Sequence, residues 1–134
     1  MELFKSLEDK ITYVETLTAL ATANEKITES QKLVVYNIAR NYNIPEEYVD
    51  RIWEKVRRKY SLAEILAPML TQDSNIKLLL IQELIMIFIV SNKYLEHKSM
   101  LRELCQTLNI DIKLEDIKNH VLQALKEREQ SLKH

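Results

Sequence analysis

Glycine is absent from all 134 residues of the chain. An average chain of this length carries about nine, at roughly 7% usage. Every device that depends on glycine is thereby excluded: the P-loop, the dinucleotide fingerprint and the Gly-x-Ser-x-Gly nucleophile elbow. Asn-Gly hairpin turns are missing too, which argues against a β-rich fold. There is one cysteine, Cys105, so no intramolecular disulfide forms within the chain. The first residues, Met1 to Lys5, have neither an apolar core nor a small-residue cleavage site. Together these features point to a reducing, cytoplasmic setting. Charge of one sign is not in excess: 19 Lys and Arg stand against 20 Asp and Glu, for a formal charge of −1. That balance argues against a nucleic-acid partner. Long hydrophobic runs are also lacking. The greasiest stretch, Ile76 to Val90, is interrupted by Lys77, Gln82 and Glu83. A bilayer span needs about 20 predominantly apolar residues. The stretch therefore reads as a buried core helix and the chain as having no transmembrane segment; peripheral contact with a membrane stays open.

What the chain does contain is helical periodicity, over a length that suits one domain, residues 1–134. Phe4, Leu7, Ile11, Val14, Leu17 and Ala21 form one stripe and predict a first helix over about 3–23. Thr28 with Gln31 makes a capping box for a second helix, whose apolar face is Val34, Val35, Ile38, Ala39 and Tyr42. Pro45, Glu46 and Glu47 suit the start of a third, with Val49, Ile52, Trp53 and Val56 inward. Ser61 with Glu64 opens a short helix that Pro68 ends. A polar loop from Thr71, with Ser74 as cap, leads to a fifth helix over about 75–91, and a sixth follows over about 95–108. Asp111 caps a last helix carrying Leu114, Ile117, Val121 and Leu125, with residues 129–134 frayed. The expectation is all-α, with about seven helices.

The second and sixth helices share one spacing of apolar positions. Val34, Val35, Ile38, Ala39 and Tyr42 match Met100, Leu101, Leu104, Cys105 and Leu108 at an offset of 66. Upstream, Glu15 matches Glu83, Leu17 matches Ile85 and Asn24 matches Asn92 at an offset of 68. An internal repeat, about 11–57 and 79–125, is expected to pack as two pseudo-symmetric three-helix units around two central helices. A central helix flanked on every side has no solvent face to colour polar, which accounts for the greasy fifth helix.

The run from Thr18 to Gln31 (TALATANEKITESQ), continued by Asn43, Ile44, Pro45, Glu46 and Glu47, resembles the TerB-like family. These small helical modules are linked by name to tellurite resistance and occur in stress-response and membrane-associated settings. The resemblance covers roughly residues 11–125. It implies a helical domain and a binding role. Some TerB-like proteins bind a divalent metal through Asp-Gly turns and nearby acids. This chain has Asn24-Glu25 and Asn92-Lys93 instead. An amide oxygen is a neutral ligand, whereas hard cations need carboxylate charge. The expectation is therefore no metal and no cofactor; the metal alternative would use Asn24, Glu25, Glu29, Asn92 and Glu96. Asparagine also tolerates the left-handed backbone that glycine supplies at a helix end, which reads Asn24 and Asn92 as turn formers.

Other chemistry is sparse. Glu15 and Glu83 occupy matched positions, and Glu83 sits in a greasy helix, where a carboxylate needs a partner or a raised pKa. A hydrogen bond to a tyrosine, a lysine or a helix terminus would satisfy it. His97 lies beside Glu96 just after a turn, and His120 shares a face with Asp116; a closed metal site needs four ligands. Cys105 falls in the core slot matched by Ala39 and reads as a buried thiol. Arg51, Lys55, Arg57, Arg58 and Lys59 form the one basic cluster, diluted by Glu46, Glu47, Asp50 and Glu54. With no glycine loop, nucleophile–base pair or ligand set in view, the expected function is a binding or scaffold module rather than an enzyme. Its partner is another protein or a second copy of itself. A homo-oligomer closed through the fifth helix or the Trp53 face is a further alternative.

Overall fold

The computed structural model describes residues 3–22, 28–56 and 61–132. These form seven α-helices and one 3-10 turn: α1 (Leu7–Ala21), α2 (Glu29–Asn41), α3 (Glu46–Val56), α4 (Leu62–Leu66), the turn Ala67–Met69, α5 (Ser74–Val90), α6 (Tyr94–Thr107) and α7 (Leu114–Leu132). The described residues contain no strand.

Local signals place most helix ends. The Thr28–Gln31 box is closed reciprocally, Gln31 N donating to Thr28 Oγ1 at 3.2 Å and Thr28 N to Gln31 Oε1 at 2.9 Å. Ser61 accepts from Glu64 N at 3.2 Å, and Pro68 falls in the 3-10 turn that follows α4. Four ends differ from expectation. The first helix starts at Leu7, because Ser6 caps it by accepting from Asp9 N at 3.1 Å; Phe4 is left in a non-helical lead-in. Asp73, not Ser74, caps α5, its carboxylate accepting from Asn75 N at 2.8 Å. For α7 it is the Lys113 carbonyl that receives Asp116 N and Ile117 N, so Asp111 stands outside the helix. That helix continues to Leu132 rather than fraying from Glu129.

Three helices end on asparagine in the left-handed region: Asn43 at φ 60°, Asn92 at 58° and Asn109 at 56°. Each makes the same pair of bonds. Ile44, Lys93 and Ile110 donate to the carbonyls of Ala39, Phe88 and Cys105 at 2.9, 2.7 and 2.9 Å. The asparagine N–H groups donate to Arg40, Ile89 and Gln106 at 3.0, 3.0 and 3.1 Å. This is the Schellman geometry, built without glycine. Asn92 is thus the turn former the sequence suggested; Asn24 lies outside the described residues.

Helices α1 and α5 pack on each other; α3 lies against α1, α6 and α7 lie against α5, and α2 packs on α3 and α1. Helix α2 also reaches α5, and α4 with the 3-10 turn covers α1. Leu80, Ile81, Leu84, Ile85, Ile87 and Phe88 of α5 are fully buried. Each such side chain contributes about 1.5–3 kcal/mol of burial. In α1 the stripe is broader than its spacing suggests. Tyr13, Thr16, Thr18 and Leu20 are buried too, while Leu7 is exposed. The threonines manage this by donating their hydroxyls back to the carbonyls of Thr12 and Val14, at 3.0 and 2.7 Å.

Candidate functional site

Glu83 lies midway along α5, among neighbours one turn away that are all apolar: Leu79, Leu80, Met86 and Ile87. Its carboxylate is satisfied from outside the helix. Tyr13 of α1 and Tyr42, the C-cap of α2, both donate their hydroxyls to Glu83 Oε1, the second at 3.0 Å. Phe4 closes over the two rings, with centroids 5.1 Å from each, and the tyrosines meet edge to face at 5.9 Å. Such geometry suits aromatic quadrupoles. Burial pushes the Glu83 carboxyl up to about 7, against the pull of the two tyrosine hydrogen bonds. Tyr13 and Tyr42 are pushed up in turn, by burial first and then by the adjacent carboxylate.

Glu15, at the matched position of α1, has a different setting. Its carboxylate pairs with Lys55 of α3 at 3.2 Å, at the rim of an open cleft of about 250 Å³ between α1, α3 and α4. Ala19, Val56, Ile65 and Pro68 form the apolar part of that cleft, and Thr12, Thr16 and Glu64 join Glu15 and Lys55 as its polar part. The two predicted acids are therefore not brought together. One is half-buried and held by two tyrosine hydroxyls, and the other borders the space a ligand could enter.

The residues of the metal alternative do not assemble among those described. Glu29 is exposed and 3.7 Å from Lys32, Asn92 is exposed in its Schellman turn, and Glu96 is exposed; Asn24 and Glu25 lie outside the described residues. No group of three or more His, Cys, Asp or Glu able to hold a metal occurs among the described residues. Asp116 and His120 are both exposed. His97, by contrast, is buried, its ring stacked on Phe88 with centroids 4.3 Å apart. The signal for this was its match, at the repeat offset of 66, to Gln31, which is also fully buried. Gln31 does more than cap α2. Its amide also donates to Ser91 Oγ at 3.0 Å, tying α2 to the end of α5.

Cys105 is buried and its thiol is raised by burial. Of the basic cluster, Arg51 lies 5.7 Å from the Tyr48 ring and Lys55 is held by Glu15, while residues 57–59 lie outside the described part. Trp53 is half-buried; its indole donates to Tyr36 OH at 3.0 Å, and Tyr36 donates to Asp50 at 2.6 Å. Most of the apolar surface of α5 packs against α1, α2, α6 and α7, with Val90 exposed at its end. No helix among the described residues is long and apolar enough to cross a membrane. Compared with protein-family models, curated proteins and solved structures, the chain matches none of them.

Proposed function

We propose that the chain is a non-enzymatic helical binding module of the TerB-like type, serving a stress-response assembly, and that it receives an apolar side chain of a protein partner in the α1–α3–α4 cleft. The observation that carries this reading is the composition of the cleft. Ala19, Val56, Ile65 and Pro68 give it an apolar interior, and the Glu15–Lys55 pair gives it a charged rim. An apolar pocket with a few fixed polar groups is the usual form of a binding site. The reactive groups elsewhere support binding over catalysis. The Cys105 thiol is held away from its thiolate by burial, and the Glu83 carboxylate is taken up by two tyrosine hydroxyls.

The test is selection of a displayed random peptide library on the full chain, followed by affinity measurement on two variants. Ala19→Trp fills the cleft, and Lys55→Glu reverses the rim charge at an exposed position. Peptides sharing one large apolar residue are expected, with affinity lowered about tenfold or more by Ala19→Trp. Peptides that bind wild type and both variants alike would overturn the proposal.

A further inference from the structure

We infer that residues 3–6 form a strap whose hold on the body of the protein is set by the proton on Glu83: docked when the acid is neutral, released when it is ionised. Of residues 3–6, only Phe4 is buried; Leu3, Lys5 and Ser6 are exposed. Beyond the Ser6 cap on α1, one ring anchors the segment, and its seat is the pair Tyr13 and Tyr42, 5.1 Å from each. Those two rings have their hydroxyls on one carboxylate oxygen of Glu83. The anchor and the acid are the two sides of a single aromatic layer.

Phe4 covers the two rings whose hydroxyls hold the carboxyl, and its departure would open that layer to water. A carboxylate gains from such hydration more than a neutral acid does, unless hydrogen bonds already replace it. Here the replacements are two phenols, and burial outweighs them, pushing the Glu83 carboxyl up. Among the described residues no cation contributes to the balance. From α1 the group facing Glu83 is Tyr13, and from the end of α2 it is Tyr42. Among the described residues no charged group of α6, α7 or the strap contributes to the shift. Linkage then fixes the sign: whatever docking does to proton affinity, protonation does to docking by the same factor.

The experiment is ¹⁹F NMR of the full chain carrying 4-fluorophenylalanine, with carbon-13 detection of the Glu83 carboxyl. The chain has two phenylalanines, Phe4 and Phe88, so the second line reports the core. Between pH 5 and 9 the Phe4 line is expected to move toward its solvent-exposed position, with the same midpoint as the Glu83 carboxyl, while the Phe88 line stays. In Glu83→Gln the Phe4 line should stay docked throughout. In Phe4→Ala, or in Phe4→Leu if the first variant folds poorly, the Glu83 midpoint should fall by about one pH unit, a tenfold coupling. A Phe4 line indifferent to pH, a movement that survives Glu83→Gln, or a Glu83 midpoint unchanged by loss of the ring would each overturn the inference.

Discussion

Replacing Glu83 with glutamine should turn a pH-dependent fold into one that is much less so. The folded chain holds the Glu83 proton up to about 7, whereas the ordinary value for the group is 4.5. Between those two pH values the folded state binds more protons than the unfolded state. Stability therefore falls as pH rises through that window, and the contribution of the neutral acid is fully present below it. At about 1.4 kcal/mol per pH unit, the full span is worth about 3 kcal/mol. Glu83 keeps some contact with solvent, so about 2 kcal/mol is the expected share. Glutamine has the shape of the neutral acid, accepts from Tyr13 and Tyr42 as Glu83 does, and never ionises. Urea unfolding followed by the fluorescence of Trp53 would give both stabilities. At pH 5 wild type and Glu83→Gln should lie within about 1 kcal/mol, and at pH 8 the variant should be the more stable by about 2 kcal/mol. A difference that stays constant from pH 5 to pH 8, or a variant less stable than wild type at pH 8, would refute the reasoning.

The helix ends offer a second test. Asn43→Ala and Asn109→Ala place a methyl-bearing residue at φ 60° and 56° and should each cost about 1 kcal/mol, while the corresponding glycine variants should cost little; urea midpoints decide it. Gln31→Ala removes one side of a capping box and the tie to Ser91, and a loss of about 1–2 kcal/mol in the same assay is expected, larger than for an ordinary cap. Phe88→Ala empties a fully buried site and unstacks His97, so a loss of about 3–5 kcal/mol is expected by thermal and urea unfolding.

What could be read from the sequence was whatever is decided within one turn of helix. The Thr28–Gln31 and Ser61–Glu64 boxes were legible because donor and acceptor lie three residues apart. The burial of α5 was legible because no other environment accepts Leu84, Ile85 and Phe88 in one run. Phe4 misled for the same reason. Its spacing from Leu7 mimics a helical stripe, yet Ser6 offers its hydroxyl to Asp9 N and starts the helix beyond it. Asp73 and Ser74 both satisfy the rules for a cap, and only the backbone path chooses between them. The partners of Glu83 were invisible, since Tyr13 lies 70 residues away and Tyr42 lies 41 away. A tyrosine was among the partners foreseen for that acid, but nothing local says which one.

The matched positions explain why two acids in equivalent places come to such different ends. Glu83 meets Tyr13 and Tyr42; their counterparts across the repeat are Ile81 and Leu108, which have no hydroxyl to give Glu15. Glu15 meets Lys55; the counterpart of Lys55 is Val121, which has no charge to give Glu83. Both acids therefore draw their donors from the first half, Glu15 from within its own copy and Glu83 from across the repeat. Helix α2 reaches across to α5 and carries Tyr42 there, while α3 packs on α1 and carries Lys55 to the cleft. Hydroxyls alone leave a carboxylate tolerable only at the edge of ionisation, which makes Glu83 a group that responds to pH. A lysine at the surface pairs with Glu15 and keeps the rim of the cleft polar.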